Sequence, residues 1–159
     1  MWTKLIDLSA VEMRRFRRRD YLAYSAWFSD AELNRHLGPI DEAWLTYVLA
    51  DEGGSQFSFI SEDELIGVAG LCHPGKRNED YVLTDIAVRP NLRRQGIAAG
   101  LILKLLGEYP WTQSKCLSAY IAPDNAAALG LFRALGWVKM KEASTPQQMR
   151  HFTFNLNQT

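Results

Sequence analysis

The chain has 159 residues, the usual size of one domain and enough to bury a substantial core. Lys plus Arg and Asp plus Glu number 18 each, so no net field favours nucleic acid or a membrane surface. No apolar stretch approaches membrane-span length, and Met1 to Leu5 lacks the run of a signal peptide. Cys72 and Cys116 stand far apart in no metal-like spacing and read as buried, reduced thiols. The expectation is a single cytoplasmic domain, 1–159, that binds no metal.

Val11 to Phe16 alternates weakly and is expected to form a strand. Asp20 then caps a helix through Trp27, with Leu22, Ala26 and Phe28 on roughly one face. Gly38-Pro39 breaks the chain, and Asp41 caps a second helix carrying Trp44, Leu45, Val48 and Leu49, ended by Gly53-Gly54. Gln56 to Ile60 and Leu65 to Leu71 flank Glu62-Asp63-Glu64 as a hairpin with an acidic turn. His73-Pro74-Gly75 opens a polar loop before a strand over Tyr81 to Val88. Gly96 to Tyr109 is a helix, apolar around most of its circumference, as packing on a sheet requires. Cys116 to Ile121 is a strand and Asn125 to Leu135 a helix, with Gly136 just past its end. Trp137 to Met140 and Met149 to Phe154 close the chain as a hairpin across a long turn. Hairpins combined with two strand–helix–strand passages imply an α/β or α+β sheet with helices on its faces.

The junction from Asp85 to Gly100 carries the most chemistry. A β-branched run stops at Pro90, crosses a basic loop, and enters an apolar helix at Gly96, as Arg93-x-x-Gly96-x-Ala98. A helix N-terminus offers unpaired backbone N–H groups and the positive end of a dipole, and two arginines add charge. Such a junction suits a phosphate or pyrophosphate.

This loop, in this order of elements, resembles the GNAT superfamily of acyl-CoA-dependent N-acetyltransferases. A second segment strengthens the match: Asn125-Ala126-Ala127-Ala128-Leu129-Gly130-Leu131-Phe132-Arg133-Ala134-Leu135-Gly136-Trp137 is similar to the family's Asn-x-x-Ala-x-x-Leu-Tyr-x-x-x-Gly-Phe. The resemblance implies a mixed, mostly antiparallel sheet of six to seven strands with helices on both faces. It implies acetyl-CoA as cosubstrate and an amine-bearing acceptor, a small molecule or a protein amine, and it allows a homodimer. Backbone groups of Ile86, Ala87 and Val88 are expected to pair with the pantetheine arm as an added strand. Amides across Arg93, Arg94, Gln95, Gly96, Ile97, Ala98 and Ala99 are expected to cradle the pyrophosphate, with Gly96 permitting close approach. Asn125 is expected to touch the coenzyme, and Phe132 to pack against the pantetheine. Phe132 stands where the family often has a tyrosine that protonates the departing thiolate, and phenylalanine has no proton to give.

The reaction so implied moves an acetyl group to a primary amine by direct attack in a ternary complex. A primary amine is mostly protonated at neutral pH, so a base must take its proton. Asp85, beside the expected thioester, is the first candidate; a solvated or capping carboxylate is its ordinary reading. Tyr120 is the second candidate, as a proton donor on the strand before Asn125, against an ordinary half-buried aromatic. A backbone N–H near Val88 suits the carbonyl oxygen. His73 reads as a polar loop residue and His36 as a surface or cap residue, while His151, in the last strand, carries no functional reading. Arg14 to Arg19 reads as a solvated edge with one arginine paired to a carboxylate, rather than a nucleic-acid grip. Asp30, Glu32, Asp41 and Glu42 lie where the family contacts its acceptor. The alternative is a catalytically degenerate module that binds acyl-CoA without turnover.

Overall fold

The computed structural model describes residues 5–50, 52–76, 78–141 and 148–158. Among the described residues, seven strands form one sheet in the order β1-β2-β3-β4-β5-β7-β6. These are β1 Glu12–Arg15, β2 Gly54–Ser61, β3 Glu64–Cys72, β4 Tyr81–Val88, β5 Cys116–Ile121, β6 Val138–Lys139 and β7 Arg150–Asn155. Every pairing is antiparallel except β4 with β5. The helices are α1 Tyr21–Ala26, α2 Ala31–Leu37, α3 Glu42–Ala50, α4 Ile97–Glu108 and α5 Ala126–Ala134. No helix among the described residues is long and apolar enough to cross a membrane.

Two apolar layers sandwich the sheet. On one face, Leu101, Ile102, Leu105 and Leu106 of α4 and Phe132 of α5 pack on Phe57, Phe59, Ile66, Leu71, Leu83 and Leu117. On the other, Tyr24, Trp27, Leu33 and Leu45, from the α1–α3 segment, pack on Leu65, Val68 and Ala87. Helices on both faces of a mixed sheet match the expected architecture.

The N-terminal third departs most from the sequence reading. Asp20 does not cap α1; its carboxylate accepts from the Arg17 amide at 2.8 Å, both Arg14 terminal nitrogens at 2.7 and 2.8 Å, and Ser58 Oγ at 2.9 Å. The basic run thus pairs Arg14 with Asp20, and a second arginine, Arg18, lies 3.7 Å from Glu42, where one pairing was expected. Helix α2 was absent from the sequence reading, although Asp30 caps it by accepting from the Leu33 amide at 3.0 Å. Asp41 accepts from the Trp44 amide at 2.9 Å, as its expected capping role requires. Glu62 and Asp63 both take positive φ, 50° and 64°, in keeping with a tight hairpin turn. The first strand of the last hairpin is shorter than expected, Val138–Lys139, with Trp137 buried ahead of it. Most of its turn, and Met1 to Lys4, lie outside the described residues. Cys72 and Cys116 are free and half-buried rather than buried.

Candidate active site

The site begins with a defect in β4. Gly70 pairs with Asp85, but the next residue of β3, Leu71, pairs with Leu83, so Thr84 is an extra residue in β4. A bulge of this kind bends its strand and reverses the alternation of side chains. Leu83 packs with the α4–α5 layer, whereas Ala87 packs with the α1–α3 layer, which puts Asp85 on the α1–α3 face.

The bend also opens the sheet. Strands β4 and β5 pair only at Tyr81–Leu117 and Val82–Ser118. Beyond Val82 the two parallel strands diverge, so among the described residues Ile86, Ala87 and Val88 have no strand partner on the β5 side. Across the gap, Asn125 heads α5 with its side chain accepting from the Ala128 amide at 3.2 Å. One lone pair of its oxygen is thus engaged in capping.

At the mouth of this gap the chain turns into α4 through Arg94 at φ 63° and Gly96 at φ 73°. These are left-handed conformations, costly for arginine and easy for glycine. The amides of Ile97, Ala98 and Ala99 fall in the open first turn, where no intrahelical acceptor exists, while the Gly100 amide returns to Gly96 O at 3.3 Å. A Cβ placed on Gly96 would meet nothing within 4 Å, so this turn faces open space. Gln95 Oε1 is buried there without a hydrogen-bond partner among the described residues.

The two loop arginines differ. Arg93 makes a two-pronged ion pair with Asp30, both bonds at 3.0 Å, and ties the loop to the start of α2. Arg94 is exposed and has no ion-pair partner among the described residues. Arg35 of α2 pairs with Asp124, just before α5. Helix α2 therefore bridges both lips of the gap.

Asp85 sits beside the bulge. Gln56 Nε2 donates to its Oδ2 at 2.8 Å and Thr84 Oγ1 to its Oδ1 at 2.8 Å. Although half-buried by surface, it lies deep in the molecule, and desolvation pushes its pKa above the ordinary carboxylate value, against the two hydrogen bonds. The Tyr24 phenol is itself pushed up, by burial first and then by the Asp85 charge. Tyr120 is 44% exposed and stacks on His151 with centroids 4.5 Å apart. Ala119 and Ile121 pack with the α4–α5 layer, so alternation puts Tyr120 on the same sheet face as Asp85.

Phe132 is 2% exposed and lies against Trp137 at 4.7 Å and Phe152 at 6.3 Å. It is a core ring, packed on the α5 side of the sheet. His73, read as a loop residue, is held at the opposite end of the sheet: its Nε2 bonds Ser55 Oγ at 2.9 Å and Tyr109 OH at 3.1 Å. The acidic residues of the helical layer are largely engaged, Asp30 with Arg93, Asp41 as a cap, and Glu42 near Arg18 at 3.7 Å.

Comparison with known proteins agrees with this geometry. Residues 12–137 match the model of the acetyltransferase (GNAT) family. No curated protein matches the chain in sequence. Among solved structures, the chain is similar to a spermidine N-acetyltransferase from Vibrio cholerae in complex with CoA and spermine (TM-score 0.74, 16% identity, 94% of this chain and 97% of that one). It is similar to the ribosomal-protein-S18-alanine N-acetyltransferase from Escherichia coli (TM-score 0.66, 20% identity, 90% of each chain). It also resembles AAC(6')-Ib, solved with paromomycin and acetyl-CoA (TM-score 0.72, 18% identity, 92% of this chain and 93% of that one). A family match over most of the chain, with this fold, is decisive: the protein belongs to the acetyltransferase (GNAT) family.

Proposed function

We propose that the protein transfers an acetyl group from acetyl-CoA to a primary amine by direct attack in a ternary complex. The observation that carries this reading is the divergence of β4 from β5 beside the open first turn of α4. The unpaired β4 edge at Ile86, Ala87 and Val88 suits the amide groups of a pantetheine arm. The amides of Arg93 to Ala99, with the Arg94 guanidinium and the helix dipole, suit a pyrophosphate. Asn125, one lone pair of its oxygen engaged in capping, has its amide N–H groups to offer the coenzyme. Phe132 contributes packing behind the site.

Asp85 takes the proton of the incoming amine. The nitrogen lone pair then attacks the thioester carbon; the C–N bond forms, the C–S bond breaks with sulfur leaving as the electron-pair acceptor, and the second proton that nitrogen must shed to become an amide passes to solvent. A backbone N–H near Val88 stabilises the charge on the carbonyl oxygen. A thiol with pKa of about 8.5 leaves tolerably as thiolate, so the buried phenylalanine at 132 is compatible with turnover. Tyr120, exposed on the face shared with Asp85, is the candidate to return a proton to sulfur.

The similar structures include one holding the polyamine spermine, one holding the aminoglycoside paromomycin and one named for a ribosomal-protein alanine. One fold serves all three, so the acceptor is set by the α1–α3 layer. The test is thiol release from acetyl-CoA with spermine, paromomycin and an alanine-initiated peptide. Turnover of one amine, lost in Asp85→Asn with coenzyme affinity kept, supports the proposal. Tight coenzyme binding without turnover of any amine, primary amino acids and simple diamines included, replaces it with a coenzyme-binding module.

A further inference from the structure

Gln56, Gly70 and Asp85 form one cross-strand row over three strands: Gln56 pairs with Gly70, and Gly70 with Asp85. Adjacent strands lie about 4.8 Å apart, so the outer two backbones of the row are separated by about twice that. Only a long side chain crossing a residue without one can close that span. Gln56 is 7% exposed, and its amide passes over Gly70 to donate to Asp85. A Cβ on Gly70 would collide with Asp85 Oδ1, and would lie 2.5 Å from Thr84 Oγ1 and 2.7 Å from Gln56 Oε1. The extra residue Thr84 supplies the second donor, to the other carboxylate oxygen. A glycine, a buried amide and a bulge thus converge on one carboxyl group.

We propose that Gln56 is a positioning residue that holds the Asp85 carboxylate in one orientation, and in its ionised state, for proton transfer. This inference rests on the reading of Asp85 as the proton acceptor. Its physical basis is a balance: burial disfavours the charge that a base needs, and hydrogen bonds to that charge restore it. One donor on each oxygen also fixes the plane of the carboxyl group, leaving a second lone pair of each oxygen for the amine proton. A glutamine serving only to bind β2 to the rest of the sheet would do none of this.

The deciding experiment follows the Asp85 carboxyl carbon by NMR across a pH titration of the full chain, assigned with Asp85→Asn. The Gln56 side-chain amide is recorded in the same samples. In the unsubstituted protein the Gln56 amide signals are expected to shift with the Asp85 midpoint. In Gln56→Met, close to glutamine in volume but without a donor, the Asp85 midpoint is expected to move upward. With the fastest amine of the panel, Gln56→Met is expected to lose about tenfold to a hundredfold in kcat, with coenzyme affinity unchanged. The acid limb of its rate profile should move up in pH. Amide signals blind to the Asp85 titration in the unsubstituted protein overturn the proposal even if Gln56→Met does not fold. So does a folded Gln56→Met with an unmoved midpoint and unchanged kcat. If Asp85→Asn itself turns over normally, the proton-acceptor reading has failed instead.

Discussion

Removing the Asp20 carboxylate should unfold the protein far more readily than a surface change, and the cost can be worked from its contacts. Asp20 is 6% and Arg14 12% exposed, and the pair is joined by two bonds of 2.7 and 2.8 Å. The same carboxylate takes the Arg17 amide and the Ser58 hydroxyl, so it binds β1, β2 and the entry to α1 together. Asp20→Ala leaves the Arg14 charge without its counter-ion and with only the Arg15 carbonyl to accept from it, which costs about 3–5 kcal/mol. For a domain of this size that is roughly 6–20 °C in Tm. Replacing both partners, Asp20→Leu with Arg14→Met, should recover only part of the loss, because the Arg17 amide and the Ser58 hydroxyl still lack an acceptor. The pH dependence has a definite sign. Burial alone would raise the Asp20 pKa, but the Arg14 fork, the Arg17 amide and the Ser58 hydroxyl outweigh it and hold it below the ordinary value. The stabilisation is therefore present above the unfolded-state pKa and is lost as pH falls through the folded one. Thermal unfolding followed by circular dichroism over a pH series reads both effects. A Tm for Asp20→Ala within about 2 °C of the unsubstituted protein near neutral pH would refute the reasoning.

The other expectations concern the site. Asp85→Asn should raise the unfolding temperature while abolishing transfer, a trade of stability for function. Because the folded-state pKa of Asp85 is raised, its ionisation costs stability as pH rises through that value. The gain in Asp85→Asn should accordingly be larger near neutral pH than in acid, and a destabilised variant would contradict this. Arg94→Ala should weaken coenzyme binding by about tenfold to a hundredfold, the worth of a charge-assisted hydrogen bond. Arg93→Ala should lose less affinity, since Asp30 already holds that guanidinium, and little stability, since the pair is partly exposed. Calorimetry that finds equal losses would show that Arg93 leaves Asp30 for the coenzyme.

What the sequence disclosed follows from how local each signal is. The loop from Pro90 to Gly96 and the α5 segment are written in contiguous residues, with Asn125 capping and Gly136 at φ 82°, and both were legible. Helix α2 carries its own cap at Asp30 and an apolar pair at Leu33 and Leu37, but it is short, and Gly38-Pro39 marks its end alone. Asp20 reads as a helix cap by position, yet its partners come from two strands, one of them distant in sequence. The row of Gln56, Gly70 and Asp85 exists only because three strands align in register, and the bulge at Thr84 decides which face Asp85 takes. Nothing in the sequence of β4 marks that bulge. Phe132 matched a family position, and only packing showed it closed in by Trp137 and Phe152.

The central claim is that the gap between β4 and β5, with the turn into α4, holds the coenzyme. Calorimetric titration with desulfo-CoA tests it directly, comparing the unsubstituted protein with Gly96→Ala and Gly96→Glu. At φ 73° either substitution strains the backbone by about 1 kcal/mol. Only the glutamate adds a charge to the space over the open turn. The expected result is micromolar binding to the unsubstituted protein, a modest loss in Gly96→Ala, and no detectable binding in a folded Gly96→Glu. Binding to Gly96→Glu at the unsubstituted affinity, or no binding to any of the three, would contradict the account.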